Sequence, residues 1–162
     1  MKRDPDSILN AELSHAVADA GHTDRLMVVD AGFPIPADAW RIDLALTRGV
    51  PEVSTVLEAI HDELIPERVL YAEDVPEMNP DFDAILRDLY DGSGAELDTV
   101  PHEAILDQGT EAKAIVRTGE FLPWGNVVIQ CGTDPKPWFD GEHVTMPEAY
   151  RERYEEMYGE SP

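Results

Sequence analysis

Positively charged residues are scarce in this sequence. Its 162 residues contain 12 Lys and Arg against 34 Asp and Glu, which gives a formal net charge of −22. Only three of the cations are lysines (Lys2, Lys113 and Lys136), and the acidic residues are spread along the chain rather than gathered in one block. Because nucleic acids and anionic membranes bind to clustered cations, neither is expected as a partner. An acidic, lysine-poor surface is typical of salt-loving organisms, since high ionic strength screens its self-repulsion, and a halophilic source is our hypothesis.

Cysteine and long apolar runs are also nearly absent. The single cysteine, Cys131, follows the apolar stretch 127–129, where it is expected to be a small buried hydrophobe, and it has no partner for an internal disulfide. No apolar run approaches the roughly 20 residues of a membrane-spanning helix. Residues 1–10 contain no apolar segment of the kind found in secretion signals. The sequence therefore predicts a cytoplasmic protein.

Several chemical signatures are missing. The five histidines (His15, His22, His61, His102 and His143) form no pair with the spacing of a metal site, and no further cysteine joins them. The segment Gly92-Ser93-Gly94 lacks the rest of a dinucleotide fingerprint, and neither a phosphate-binding Gly-Lys-Ser nor a Gly-x-Ser-x-Gly elbow occurs. We therefore expect no metal and no cofactor.

The sequence does contain short apolar stretches that alternate with amphipathic segments. Strands are predicted at 26–29, 69–72, 97–100, 114–116 and 127–129, and helices after Asn10 and from Pro51, Pro80, Pro101 and Pro147; the period of 41–46 is ambiguous. This alternation predicts a single three-layer α/β domain, with a largely parallel or mixed sheet covered by helices, over residues 1–138. Residues 139–162 are predicted to be an acidic, helical C-terminal extension. It is expected to dock on the domain or on a neighbouring subunit through a stripe of Tyr150, Tyr154 and Met157 or Tyr158.

His22 and Asp30 flank the first predicted strand. Asp30 follows the strand, where ligands of open α/β sheets bind, and His22 lies in the turn before it, beside Thr23 and Asp24, which could fix its ring by hydrogen bonding. An imidazole and a carboxylate at one mouth would suffice for acid–base chemistry on a small polar molecule. The alternatives stay open here: His22 could be a turn histidine, Asp30 a loop cap and His102 an ordinary surface residue.

Several motifs together resemble one family, the D-ribose pyranases, which are related to the L-fucose mutarotases. Order and spacing agree from about Leu9 to Gly132. The matching segments are Gly21-His22-Thr23-Asp24, Asp30-Ala31-Gly32-Phe33-Pro34-Ile35-Pro36, Arg41-Ile42-Asp43-Leu44-Ala45-Leu46-Thr47 with Gly49-Val50-Pro51, Asn79-Pro80, His102-Glu103, residues 114–120 and residues 125–129.

The resemblance implies an isomerase that interconverts the cyclic forms of a free monosaccharide, β-pyranose and β-furanose for ribose, without metal or cofactor. It implies His22 as the proton donor, Asp30 as a ligand of sugar hydroxyls, and His102 with the segment Trp124-Gly125-Asn126 as the rest of the pocket. It also implies a homo-oligomer, since the family assembles as rings, often decamers, with the site at a subunit boundary.

Two positions depart from the ribose branch of the family. Its members have Tyr where this chain has Trp124, and a lysine one helical turn after His102, where this chain has Leu106. An indole donates a hydrogen bond but cannot relay a proton as a phenol can. A mutarotase for L-fucose or a similar sugar is therefore an alternative, and a non-catalytic sugar-binding or regulatory subunit is a second.

Overall fold

The computed structural model describes residue 4 and residues 6–162. The helices are α1 (Ala11–Asp19), α2 (Val53–His61), α3 (Val75–Met78), α4 (Pro80–Tyr90), α5 (His102–Gln108), α6 (Pro135–Trp138) and α7 (Glu148–Tyr158). The strands are β1 (Arg25–Val29), β2 (Arg41–Asp43), β3 (Pro66–Ala72), β4 (Glu96–Val100), β5 (Ala114–Arg117) and β6 (Val127–Cys131). Each predicted strand is present, and the ambiguous segment 41–46 contributes the short strand β2.

The helix boundaries follow local chemistry. The side chain of Asn10 accepts a hydrogen bond from the backbone N–H of Leu13 at 2.9 Å and so caps α1. Pro80 is the first residue of α4, as predicted, because a proline there removes only an N–H that the first turn leaves unpaired. The predicted start of α2 at Pro51 is wrong by two residues, since Glu52 precedes the first helical residue, Val53.

Five of the six strands of the sheet run in the same direction. The strand order is β2-β5-β1-β6-β3-β4, and β6 alone is antiparallel to its neighbours β1 and β3. The carboxyl ends of β1 to β5 therefore lie at one edge of the sheet, together with the start of β6. We call this the carboxyl edge, with Asp30, Pro101, Thr118 and Asn126 next to its strand ends, and we call the opposite side the amino edge.

The core lies between the sheet and its helices. β1 is buried from Leu26 to Val29, and β5 and β6 are buried almost throughout. α2 turns four apolar residues inward and packs against β1 and α4, while α5 packs over β3 and β6. These contacts confirm the predicted α/β fold class.

The C-terminal part of the chain packs on the amino-edge side of the sheet. Arg153 of α7 is 8% exposed and donates hydrogen bonds to the carbonyl oxygens of Gly94 and Pro66, at 2.8 and 2.6 Å. Tyr154 is buried, and its ring contacts that of Tyr158. None of the helices in the described part of the chain is long and apolar enough to cross a membrane.

Candidate active site

Asp30 and Asn126 form a doubly hydrogen-bonded pair at the carboxyl edge. The Asn126 amide donates to Oδ2 of Asp30 at 2.9 Å, and its oxygen accepts the backbone N–H of Asp30 at 3.0 Å. Oδ1 of Asp30 accepts the N–H of Gly32 at 2.8 Å. Asn126 is only 4% exposed, whereas Asp30 is half-buried. Because each carboxylate oxygen can accept about two hydrogen bonds, Asp30 is held in place and still has capacity for ligand hydroxyls.

The pair is supported by the end of β5. Thr118 is fully buried, and its hydroxyl donates to the carbonyl of Val29, the residue before Asp30, at 2.9 Å. The backbone N–H of Ala31 donates to the carbonyl of Glu120 at 2.9 Å. These bonds fix the backbone on both sides of Asp30, so the carboxylate is preorganised before any ligand binds.

His102 and the segment Trp124-Gly125 also lie at the carboxyl edge. His102 is the first residue of α5, and its Nδ1 is buried with no hydrogen-bond partner in the described structure. Trp124 has a φ of +57°, and its side chain is partly buried against the core. The side-chain amide of Asn79 donates a hydrogen bond of 3.3 Å to the carbonyl oxygen of Pro123, the residue before Trp124. A buried polar atom without a partner is rare, and a ligand hydroxyl or an ordered water would satisfy it.

His22 lies at the amino edge, away from the other candidate residues of its own chain. Its neighbour Thr23 donates its backbone N–H to Cys131, at the far end of β6 from Asn126. β1 spans four residue steps between the two edges, or at least about 13 Å at 3.3 Å per residue. The expectation that His22 and Asp30 share one mouth is therefore wrong for a single chain, because a strand cannot bring the residues at its two ends together.

The ring of His22 is held by Glu67 rather than by its neighbours in sequence. Nε2 of His22 lies 3.0 Å from Oε2 of Glu67, and the side-chain amide of Gln130 approaches the same oxygen at 3.4 Å. The predicted role of Thr23 and Asp24 is wrong, since the Asp24 carboxylate binds the N–H of Gly21 and the ammonium of Lys113 instead. The hydrogen bond from Lys113 lowers the pKa of Asp24 below its ordinary value.

Sequence reasoning missed Glu67. Its position near the start of β3 carries no local signal, and only the register of β3 against β6 places it beside Gln130 and the His22 turn. Among residue 4 and residues 6–162, no group of three or more His, Cys, Asp and Glu side chains is arranged to hold a metal ion.

Comparison with known proteins identifies the family. Residues 1–134 match the RbsD / FucU transport protein family. The chain belongs to this family. The resemblance drawn from the sequence motifs is confirmed.

Members of the RbsD / FucU family match this chain along most of its length. D-ribose pyranase 1 of Streptomyces griseus is 55% identical over 151 residues, which cover 93% of this chain and 97% of the relative. D-ribose pyranase 2 of Rubrobacter xylanophilus is 47% identical over 154 residues, which cover 94% and 97%. The structure of Bacillus subtilis RbsD complexed with D-ribose superposes with a TM-score of 0.76 and 34% identity over 82% of this chain and 98% of that one.

The part of the chain beyond the family match borders His22. A cavity of about 370 Å³ is lined by Gly21, His22 and Thr133 and by the aromatic residues Trp138, Phe139 and Tyr150. The three aromatic residues follow residue 134, where the RbsD / FucU match ends. Tyr150 was expected to dock the extension, but no sequence pattern connects Trp138 or Phe139 with His22, because only the tertiary structure brings these residues together.

Proposed function

We propose that this chain is a D-ribose pyranase, a cofactor-independent isomerase that interconverts the β-pyranose and β-furanose forms of D-ribose. The observation that carries the proposal is 55% identity to a D-ribose pyranase over nearly the whole of both chains. Residues 1–138 would form the sugar-binding and catalytic domain, residues 139–162 an appended helical extension, and the enzyme would act in the cytoplasm.

The chemistry requires two proton transfers. A general acid protonates the ring oxygen while a base removes the proton of the anomeric hydroxyl, so the ring opens to the aldehyde and recloses through another hydroxyl. Positioned proton transfer of this kind accelerates reactions by about 10²–10⁴-fold. In our proposal His22 is the acid, and Asp30 holds the sugar by accepting hydrogen bonds from its hydroxyls.

The carboxyl edge supplies the sugar pocket in this proposal. Asp30 is preorganised by Asn126, whose amide keeps one further N–H for a sugar oxygen. The unpartnered Nδ1 of His102 would accept a hydroxyl proton or a bridging water, and Trp124 and Gly125 would line the pocket by their ring and main chain. The indole of Trp124 offers a larger stacking face than the tyrosine of the ribose branch.

A complete site would need two subunits. His22 and Asp30 lie at opposite edges of the sheet, so we propose that His22 of one subunit meets the carboxyl edge of the next. Large apolar side chains exposed near that edge support a subunit contact there: Leu46 is 80% exposed and Phe121 is 62% exposed. Repetition of such a head-to-tail contact closes a ring, which is the reason to expect a homo-oligomer such as a decamer.

Glu67 would position the acid. A carboxylate that accepts the Nε2–H of His22 selects one tautomer and fixes the ring, as second partners of functional histidines commonly do. Nδ1 is then the nitrogen left to exchange a proton with the sugar. Glu67 is thus a positioning residue in this proposal rather than a group that touches the substrate.

NMR saturation transfer between the anomeric signals of D-ribose tests the function, with L-fucose as comparator. We expect the wild-type chain to accelerate exchange between ribose pyranose and furanose signals, and His22→Ala to lose about 10²-fold or more of that acceleration. His143→Ala removes an exposed histidine outside the family match, and this variant should retain the acceleration of ribose exchange.

The other outcomes separate the alternatives. Acceleration confined to L-fucose would make the chain a mutarotase. Sugar binding without acceleration would make it a sugar-binding or regulatory subunit. Unchanged exchange in His22→Ala would show that His22 is not the acid.

A further inference from the structure

The cavity beside His22 has walls from two parts of the chain. Gly21, His22 and Thr133 belong to the RbsD / FucU match, whereas Trp138, Phe139 and Tyr150 follow it. We call the latter three residues the aromatic wall. His22 contributes an imidazole to the lining, so the cavity combines three aromatic rings with a side chain that can transfer a proton.

Contacts within the chain hold the aromatic wall in position. The rings of Phe139 and Tyr150 contact each other with centroids 5.1 Å apart at 52°. Tyr150 belongs to α7, which is fastened to the sheet by the buried Arg153. Trp138, the last residue of α6, is 68% exposed, so most of its indole has no protein contact within the chain.

We propose that the aromatic wall is part of the sugar site and that Trp138 is a specificity-determining residue for the monosaccharide. This inference rests on the proposed function, in which His22 donates a proton to the sugar. A sugar that presents its ring oxygen to His22 lies against the cavity, and its C–H face packs on the indole. The wall thereby adds apolar contact on the His22 side, while the carboxyl edge of the next subunit binds the hydroxyls.

The dimensions and chemistry of the cavity fit a monosaccharide. Small-molecule sites are typically clefts of about 300–1,000 Å³ with mostly apolar and aromatic walls and a few placed polar groups. The cavity of about 370 Å³ has that composition, with His22 and Thr133 as polar residues beside the three aromatic ones. Covering an exposed tryptophan with an apolar surface is energetically favourable. The pyranose and furanose rings of ribose present different C–H faces to such a tryptophan.

Relatives differ in how much of the segment after residue 134 they match, which favours a role in substrate affinity over a role in the catalytic step. The match to Bacillus subtilis RbsD uses 98% of that chain but only 82% of this one. The matches to the Streptomyces griseus and Rubrobacter xylanophilus pyranases leave 7% and 6% of this chain uncovered, which is shorter than residues 135–162, so they include part of the extension. A segment that some relatives match and Bacillus subtilis RbsD does not suits substrate affinity better than the catalytic step.

The test compares Trp138→Ala with wild type and with Val144→Ala. Val144 is an exposed apolar residue that, like Trp138, follows the end of the family match, and it does not line the cavity, so its truncation controls for lost surface area. Saturation-transfer rates at increasing D-ribose concentration give KM and kcat separately, and light scattering gives the mass of the assembly. Because Trp138 is mostly exposed, its truncation should leave the fold intact.

We expect Trp138→Ala to raise KM by about 3- to 10-fold, the size of one lost aromatic contact, with kcat and assembly mass close to wild type. If the wild-type chain is active and Trp138→Ala has the same KM, this inference is refuted while the proposed function stands. A smaller assembly for Trp138→Ala would also refute it, since the wall would then bind a neighbouring subunit. A wild-type chain that accelerates no exchange would refute the proposed function, and the inference with it.

Discussion

Replacing Asn126 by aspartate removes one donor and adds one charge at the centre of the carboxyl edge. The substitution keeps the shape of the side chain and the oxygen that accepts the N–H of Asp30. It replaces the amide that donates to Oδ2 of Asp30 at 2.9 Å by a second carboxylate oxygen. Because residue 126 is 4% exposed, water cannot take over the lost hydrogen bond.

The lost hydrogen bond, the new charge repulsion and the cost of protonation together limit how much stability Asn126→Asp loses relative to wild type. A hydrogen bond to a charged acceptor contributes about 1.5–3 kcal/mol, and two carboxylates 4 Å apart repel by about 4 kcal/mol at an effective dielectric of 20. Protonation of the new carboxyl would restore a donor, and for a group of ordinary pKa 3.9 it costs about 4 kcal/mol at pH 7. We therefore expect Asn126→Asp to lower the free energy of unfolding by about 2–4 kcal/mol at pH 7.

The loss should shrink on acidification. The introduced carboxyl has a pKa in the folded state that is raised above its value in the unfolded chain. Its penalty is therefore absent below the unfolded pKa and grows as the pH rises. At pH 5 the same protonation costs only about 1.5 kcal/mol. The free energy of unfolding of Asn126→Asp at pH 5 should therefore lie no more than about 1.5 kcal/mol below that of wild type.

Urea unfolding followed by far-UV circular dichroism measures the free energy of unfolding at pH 7 and at pH 5. Salt and protomer concentration are held fixed, because the stability of the proposed oligomer would depend on concentration. Asn79→Asp is the matched control, since Asn79 makes one long hydrogen bond to Pro123 at the same edge and should lose less than about 1 kcal/mol. Equal stability of Asn126→Asp and wild type at pH 7, or an equal deficit at pH 7 and pH 5, would refute the Asp30–Asn126 pairing.

Two further predictions concern charge. Lys113→Met should destabilise the fold slightly at pH 7, since it removes a partly exposed ion pair with Asp24. Because Lys113 lowers the pKa of Asp24, the deficit should become smaller as the pH falls through that lowered pKa, and an equal deficit in neutral and acid unfolding curves would contradict this. The net charge of −22 predicts a higher Tm in molar KCl than in dilute KCl, because salt screens the repulsion among surface carboxylates; equal melting temperatures would argue against a halophilic protein.

The sequence by itself determined the family and most of the secondary structure, although the short helices α3 and α6 were not predicted. Uninterrupted apolar runs such as Leu26 to Val29 predict buried strands, and Asn79-Pro80 marks a helix start, because both signals act over a few residues. The motifs around His22 and Asp30 identify the family, since specific residues at specific spacings carry that information without reference to distance in space. Asp30 was expected directly after the first strand, where the structure places it, and the sheet puts His102 and Asn126 at the same edge.

Only the tertiary structure decided what each of these residues contacts. The strand between His22 and Asp30 already keeps these residues apart, but only the tertiary structure shows which side chains each of them contacts instead. Glu67 reaches His22 through pairing of β3 with β6. Trp138 of α6 lines the same cavity as His22, and α6 packs against α7, which Arg153 fastens to the sheet. Such contacts join segments far apart in sequence, and their geometry depends on packing of the whole chain, so no local pattern encodes them.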